Sequence, residues 1–295
     1  MIKFSQLHII VWLFLLNLMS LSVLGQNIGE GNYTDLKEAL KNPDKVISLG
    51  LEGKYLDTVP NELRFFSNLE YLSLDNNLLE SLPKWISELE KIKEIRLNKN
   101  CFSVFPETLC YIEGLNTIEI RENQLTVIPS SIGRLYMLGK LDLSSNQISK
   151  IEEGFFNLKN LKSVRFRNNK MDSIPHKINK LENLEVMCFA KNNIKSVPEE
   201  VYDLKNLTYL SLWQNKITNL SDSICNLKNL EWIGVFSNKL KKIPVGLLKL
   251  NKLQYINAGD NIYDFSFLTN LKQKAQNYPN VKVYVEKNQN INFFH

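Results

Sequence analysis

The stretch LEYLSLDNNLLESLP, residues 69–83, sets Leu72 and Leu74 two apart and follows them with Asn77, Leu79, Leu82 and Pro83. Apolar residues at period two mark a strand with one buried side, and the Asn and Pro behind them turn the chain away. The same template returns in LNTIEIRENQLTVIP (115–129) and LEWIGVFSNKLKKIP (230–244). Its starts are Val46, Leu69, Ile92, Leu115, Leu138, Leu161, Leu184, Leu207, Leu230 and Leu253, each 23 residues after the last, so ten repeats run on without an insertion or deletion.

Positions within a repeat are numbered from these starts. Positions 4 and 6 are apolar throughout, as in Ile233 and Val235. A unit this short cannot bury its apolar side alone, so stacked units must bury it against one another in a continuous, quasi-one-dimensional core. Position 9 is Asn in nine repeats, from Asn77 to Asn261, with Lys54 in the first. An Asn buried at a turn bonds backbone groups of its own and the adjacent coil, so these side chains are structural. Position 15 is Pro in seven repeats: Pro60, Pro83, Pro106, Pro129, Pro175, Pro198 and Pro244. Proline fits the first turn of a helix, and the apolar residues at positions 18 and 21, such as Ile86 and Leu89, then face inward. Short α or 3₁₀ segments are expected there.

The template appears whole in VPEEVYDLKNLTYLSLWQN (197–215). It resembles the leucine-rich repeat family, in the subclass with LP after the strand turn, over residues 46–266. The resemblance implies an α/β solenoid shaped like a horseshoe, with a parallel β-sheet on the concave face and short α or 3₁₀ segments on the convex face. The chain is also similar to small exported bacterial leucine-rich repeat proteins, and that likeness implies a role in adhesion or host interaction.

Four segments are expected. Residues 1–25 carry Lys3, the apolar run LHIIVWLFLLNLMSLSVLG and Gly25, which reads as a signal peptide cut before Gln26. Residues 26–45 form an N-terminal cap whose YTDLKEALKNP (33–43) is a short helix started by Thr34 and stopped before Pro43. Residues 46–265 are the ten repeats. Residues 266–295 form a C-terminal cap: a helix over 266–279, a strand over 281–286 and a tail. The mature chain has no second apolar run, so no stable membrane insertion is expected once the signal is cut, and the location is secreted or cell-envelope.

With the register fixed, positions 3, 5, 7 and 8 are expected to face the concave surface, equal positions lying roughly 5 Å apart in neighbouring repeats. In repeats 3 to 6 they are mostly charged, and position 5 reads Arg96, Glu119, Asp142, Arg165. Opposite neighbours of that kind support a sheet. In repeats 7 to 10, position 3 reads Val186, Tyr209, Trp232, Tyr255 and position 7 reads Ala190, Trp213, Phe236, Gly259. Between these two rails, position 5 reads Cys188, Ser211, Gly234, Asn257. The expectation is an exposed aromatic patch that binds a partner through Tyr209, Trp213, Trp232, Phe236, Tyr255, Ser211, Asn257, Arg165 and Arg167. Rings leaning on one another to stabilise the sheet are the competing reading. Replacing Trp213 and Trp232 by Ser separates the two: a docking patch would lose binding and keep its stability.

The net charge is +5, or +4 without Lys3, and the basic residues are scattered, which excludes a nucleic-acid groove. The histidines are His8, His176 and His295, so no Ser–His–Asp arrangement or histidine-based metal site can be assembled, and there is no phosphate-binding glycine motif. Cys101, Cys110, Cys188 and Cys225 form no close pair, and Cys110 and Cys225 lie five repeats apart, roughly 25 Å at strand spacing, too far to bridge. No catalytic residue, cofactor or metal is expected. The leading functional reading is a non-catalytic exported recognition module with a protein ligand. A carbohydrate-binding surface protein and an intracellular signalling scaffold are the alternatives.

Overall fold

The computed structural model describes residues 30–285. The expected signal peptide and the expected tail after residue 285 lie outside the described residues. Each of the ten repeats contributes one three-residue strand at positions 3–5, from Ser48–Gly50 to Tyr255–Asn257. All ten lie parallel and in register, so that Val186 pairs Tyr209, Tyr209 pairs Trp232 and Trp232 pairs Tyr255. Two further strands extend this sheet to twelve: Asn32–Tyr33 pairs with the first repeat and Lys282–Tyr284 with the last. Only the latter was foreseen.

Side chains at positions 1, 4 and 6 fill a single core that runs the length of the solenoid; Leu72, Leu141, Phe166, Leu210 and Ile256 are among its buried members. The chain leaves each strand through position 8, which lies in the left-handed region in all ten repeats, from Gly53 to Asp260. Only Gly53, Asn76, Asn168 and Asp260 are residues that tolerate this conformation well. Lys99, Glu122, Lys191 and Gln214 adopt it at φ between 51° and 54°, so the hydrogen-bonded frame imposes it on them.

The asparagine at position 9 supplies that frame. Asn192 Nδ2 donates to the carbonyls of Phe166, Phe189 and Ala190 at 2.8, 3.1 and 3.1 Å, and its Oδ1 accepts from Met171 N–H at 2.9 Å. The same set recurs with small variations from Asn77 to Asn261. Each asparagine therefore ties its own turn to two sites in the preceding repeat.

Nine repeats then form a five-residue 3₁₀ segment at positions 16–20, such as Lys84–Glu88 and Glu199–Asp203. Position 15 precedes the segment in extended geometry, at φ −70° and ψ 151° in Pro198. Proline there presets φ before the first turn, one residue earlier than expected. Ser221 replaces it in one repeat and accepts a hydrogen bond from Ser223 N–H. The tenth repeat instead leads into an α-helix, Phe265–Ala275, capped by Asp264, whose Oδ1 accepts from Phe267 N–H at 2.6 Å. This helix ends four residues short of the expected 279.

At the other end the helix is Leu36–Ala39, and its cap is Asp35 rather than Thr34: Asp35 Oδ1 accepts from Glu38 N–H at 3.0 Å. Thr34 stands one residue too early for its hydroxyl to reach the free N–H groups of the first turn. Pro43 does not simply end this region but opens a second short turn, Pro43–Lys45.

Candidate functional site

Position 5 forms the floor of the concave face. At repeats 4 and 5 the floor holds two buried carboxylates, Glu119 and Asp142. Lys140 Nζ reaches the Glu119 carboxylate at 2.7 Å, and Arg121 Nη2 reaches its other oxygen at 3.0 Å. Asp142 accepts from Ser144 N–H and Oγ at 3.0 and 2.6 Å and faces Arg165 at 4.0 Å. Arg96 is held by Glu94 at 2.6 Å. Of the neighbours of opposite sign along position 5, Asp142 and Arg165 approach to 4.0 Å, whereas Arg96 and Glu119 take partners at positions 3 and 7 instead.

Burial alone would push Glu119 up, but Lys140 and Arg121 beside it override this and hold its pKa down at about 2. A carboxyl depressed below its unfolded value stabilises the fold above that value, and the contribution drains away as pH falls toward the folded pKa. Between roughly pH 4.5 and 2 the solenoid should therefore lose about 3 kcal/mol at this one site. Acid titrations of Glu119→Gln against the unmodified chain check this: the variant should be less stable at pH 7, and the difference should close by pH 2.

The aromatic half differs from the expected open patch. Trp213, Trp232 and Tyr255 retain only 7, 6 and 8 % of their exposure, so the site residues proposed as exposed anchors are buried. Tyr209 and Phe236 are half-buried. Along position 3, Tyr209 stacks on Trp232 with centroids 4.4 Å apart and planes 9° from parallel. Along position 7, Trp213 stacks on Phe236 at 5.0 Å and 10°. Sheet spacing explains both: rings at equal positions in adjacent repeats stand one strand apart, close to stacking distance.

The small residues at position 5 make room for this. A Cβ at Gly234 would lie 2.1 Å from the Trp232 ring, which lies down over the glycine. Ser211 is fully buried, and Cys188 and Asn257 are nearly so. Burial pushes the Tyr209 phenol and the Cys188 thiol upward, so neither ionises near neutrality. These rings, with Cys188 and Ala190, form a second apolar cluster separate from the main core.

Cations end the two ladders at opposite sides. Lys282 Nζ sits 5.2 Å from the Tyr255 centroid at the C-terminal side. At the N-terminal side Arg167 Cζ and Lys191 Nζ lie 5.2 and 5.4 Å from Trp213. Ala190, between Arg167 and Trp213 at position 7, is small enough for both cations to reach across. Lys191 was not among the expected site residues. It stands at position 8, one of the positions expected to face the concave surface, and only the stack shows its amine at the ring. Large exposed apolar side chains do occur, but off these ladders, at Tyr55 and Leu78 in the first two turns and at Ile262 and Phe265 beside the last helix.

Among the described residues no three His, Cys, Asp or Glu side chains gather as a metal-binding group. His176 is exposed on the convex side, 3.0 Å from Glu200. All four cysteines are free thiols, and no helix among the described residues is long and apolar enough to cross a membrane.

Repeat, register and asparagine frame define a solenoid of a known class, and comparison with known proteins agrees. One leucine-rich repeat family model matches residues 111–242 and a second matches residues 68–89. The chain is a leucine-rich repeat protein. A search of curated proteins gives no match. Among solved structures it is similar to a leucine-rich repeat protein of Leptospira interrogans, at 23 % identity over 90 % of this chain and 83 % of that one, with a TM-score of 0.65. It is also similar to an internalin of Listeria monocytogenes, at 20 % identity over 86 % and 81 % of the two chains, with a TM-score of 0.63. Both likenesses concern the fold.

A third likeness is to the ectodomain of the Arabidopsis thaliana membrane receptor kinase GASSHO1/SCHENGEN3, solved in complex with CASPARIAN STRIP INTEGRITY FACTOR 2. Identity is 28 %, the TM-score is 0.65, and the match covers 75 % of this chain but 28 % of the ectodomain.

Proposed function

We propose that this chain is a non-catalytic recognition module that is exported and binds an extended segment of a protein partner across its concave face. The observation that carries the reading is the concave face itself. Ten in-register strands present side chains already locked by ion pairs in one half and by ring stacking in the other. Side chains fixed before binding lose little conformational entropy on contact, which favours recognition. The receptor ectodomain at 28 % identity, captured with its partner, supports the same use of the scaffold. Export rests on the leader at residues 1–25.

Carbohydrate binding loses its main support, because it needed open ring faces. The Trp213 and Trp232 faces are taken by Phe236, Tyr209 and the flanking cations. A protein partner instead meets ring edges, half-exposed Tyr209 and Phe236, and the charges beside them.

Cross-linking capture tests the proposal. Gln214→Arg, at an exposed concave position outside the ring ladders, should sharply reduce recovery of the partner, whereas Lys228→Glu, exposed outside the sheet, should leave it unchanged. Capture that tolerates the concave change and fails with the other would move the interface off the concave face.

A further inference from the structure

We propose that Arg167 and Lys191 form an anion site on the concave face that takes a carboxylate of the bound segment. This rests on the recognition reading above and adds the chemistry by which the segment is held.

The argument starts from where the concave charges go. Arg96, Arg121, Lys140 and Arg165 each have a carboxylate within the sheet. The pairing stops at repeat 6. Arg167 and Lys191, next along the face, have no ion pair among the described residues, and both approach the same side of Trp213. Two like charges held over one ring repel, and each loses water by being there. Burial and the Arg167 charge together depress Lys191 below its usual value. The Nε of Arg167 is shielded from solvent and has no acceptor among the described residues. A guanidinium short of acceptors beside a partly desolvated ammonium is an arrangement that an incoming anion relieves twice over.

The ring ladder holds this pair in place before any ligand arrives. Trp213 is pinned by Phe236 on the side of repeat 9, and cation–ring attraction fixes the two cations on the side of repeats 6 and 7. The planar guanidinium and the point-like ammonium suit the two oxygens of a carboxylate. An apolar ladder runs on from the site toward Tyr255, which fits neighbouring side chains of a peptide better than a strand of phosphates. Among the described residues two cations without an ion pair meet at this point, and the basic residues are otherwise scattered along the sequence, which gives no track for a polyanion.

The test uses the full chain with hexaglutamate, hexaglutamine and inorganic sulfate as probes, read by calorimetry and by tryptophan emission. Hexaglutamate should bind saturably and change the emission, and hexaglutamine should do neither. Arg167→Gln and Lys191→Gln should each weaken hexaglutamate binding roughly tenfold to a hundredfold, and Arg167→Lys should recover part of it. Lys216→Gln, an exposed lysine off this face, should have no effect. Should Arg167→Gln loosen Trp213, Lys191→Gln still carries the test, because the repulsion it relieves offsets the ring contact it gives up and thermal stability should stay close to that of the unmodified chain.

Sulfate binding more tightly than hexaglutamate would reassign the site to tetrahedral oxyanions and overturn the carboxylate. Absence of any saturable response, or a response unchanged in both Gln variants, would overturn the site altogether. A partner captured equally well by the unmodified chain and by the Arg167→Gln, Lys191→Gln double variant would leave recognition standing and remove only this assignment.

Discussion

Asn192→Ala should lower the stability of the solenoid by about 3 kcal/mol, or roughly 6–12 °C in the midpoint of thermal unfolding. The side chain makes four hydrogen bonds, all to backbone groups. Their loss is unequal. The Phe166 and Phe189 carbonyls each keep a second asparagine, Asn169 and Asn215 at 3.1 and 2.9 Å, and the Ala190 carbonyl keeps Asn168 N–H at 2.9 Å. Met171 N–H has no such reserve and becomes a buried donor without an acceptor, the costly case. The turn at Lys191 also loses the bonds that hold a lysine in the left-handed region. Asn261 is half-exposed and ends the row, so Asn261→Ala should cost clearly less. Denaturant titrations of the two variants side by side provide the check. A loss below about 1 kcal/mol at Asn192 would mean that the row follows from the fold rather than holding it together.

The same asparagines show how far the sequence could be read. A period of 23 residues without a break places the concave strand of each of the ten repeats, because one register error would have broken the alternation of Leu72 with Leu74 and of Ile233 with Val235. The 3₁₀ segments follow from the proline at position 15 and the buried residue at position 18. What period two could not give is exposure. Trp213 and Trp232 stand in the outward phase, so a strand read alone sends them to water. Their burial is decided 23 residues away, by Phe236 in the repeat after Trp213 and Tyr209 in the repeat before Trp232, and by Gly234 beneath one ring.

The left-handed turn at position 8 was hidden for a similar reason. Its residues include Lys99, Glu122 and Gln214, which carry no signal for that conformation, so the tertiary frame overrides their preference. Two neighbouring residues with good capping side chains, Thr34 and Asp35, could be separated only by geometry. The Asn32–Tyr33 strand is two residues long and has no alternation to read.

Replacing Trp213 and Trp232 together by Ser should cost about 6 kcal/mol and destabilise the C-terminal half, the opposite of what an exposed patch would show. Truncating a buried Trp costs about 3–5 kcal/mol in a core. Each of these rings also loses a stacked partner, and Trp213 loses two cations. The concave edge can relax toward solvent, which brings each site to the low end of that range. In a solenoid each repeat leans mainly on its neighbours, so the damage should be local. Amide hydrogen exchange should quicken across repeats 7 to 10 and stay close to that of the unmodified chain in repeats 2 to 4. Stability within about 1 kcal/mol of the unmodified chain would show that the ladders contribute little and return the rings to the role of free anchors. If the loss is as large as expected, failure of this variant to bind a partner reports only unfolding. Binding through the concave face must then be judged on groups whose removal costs the ladders little, and Lys191 is the clearest of these, because the repulsion from Arg167 that its removal relieves offsets the ring contact that is lost.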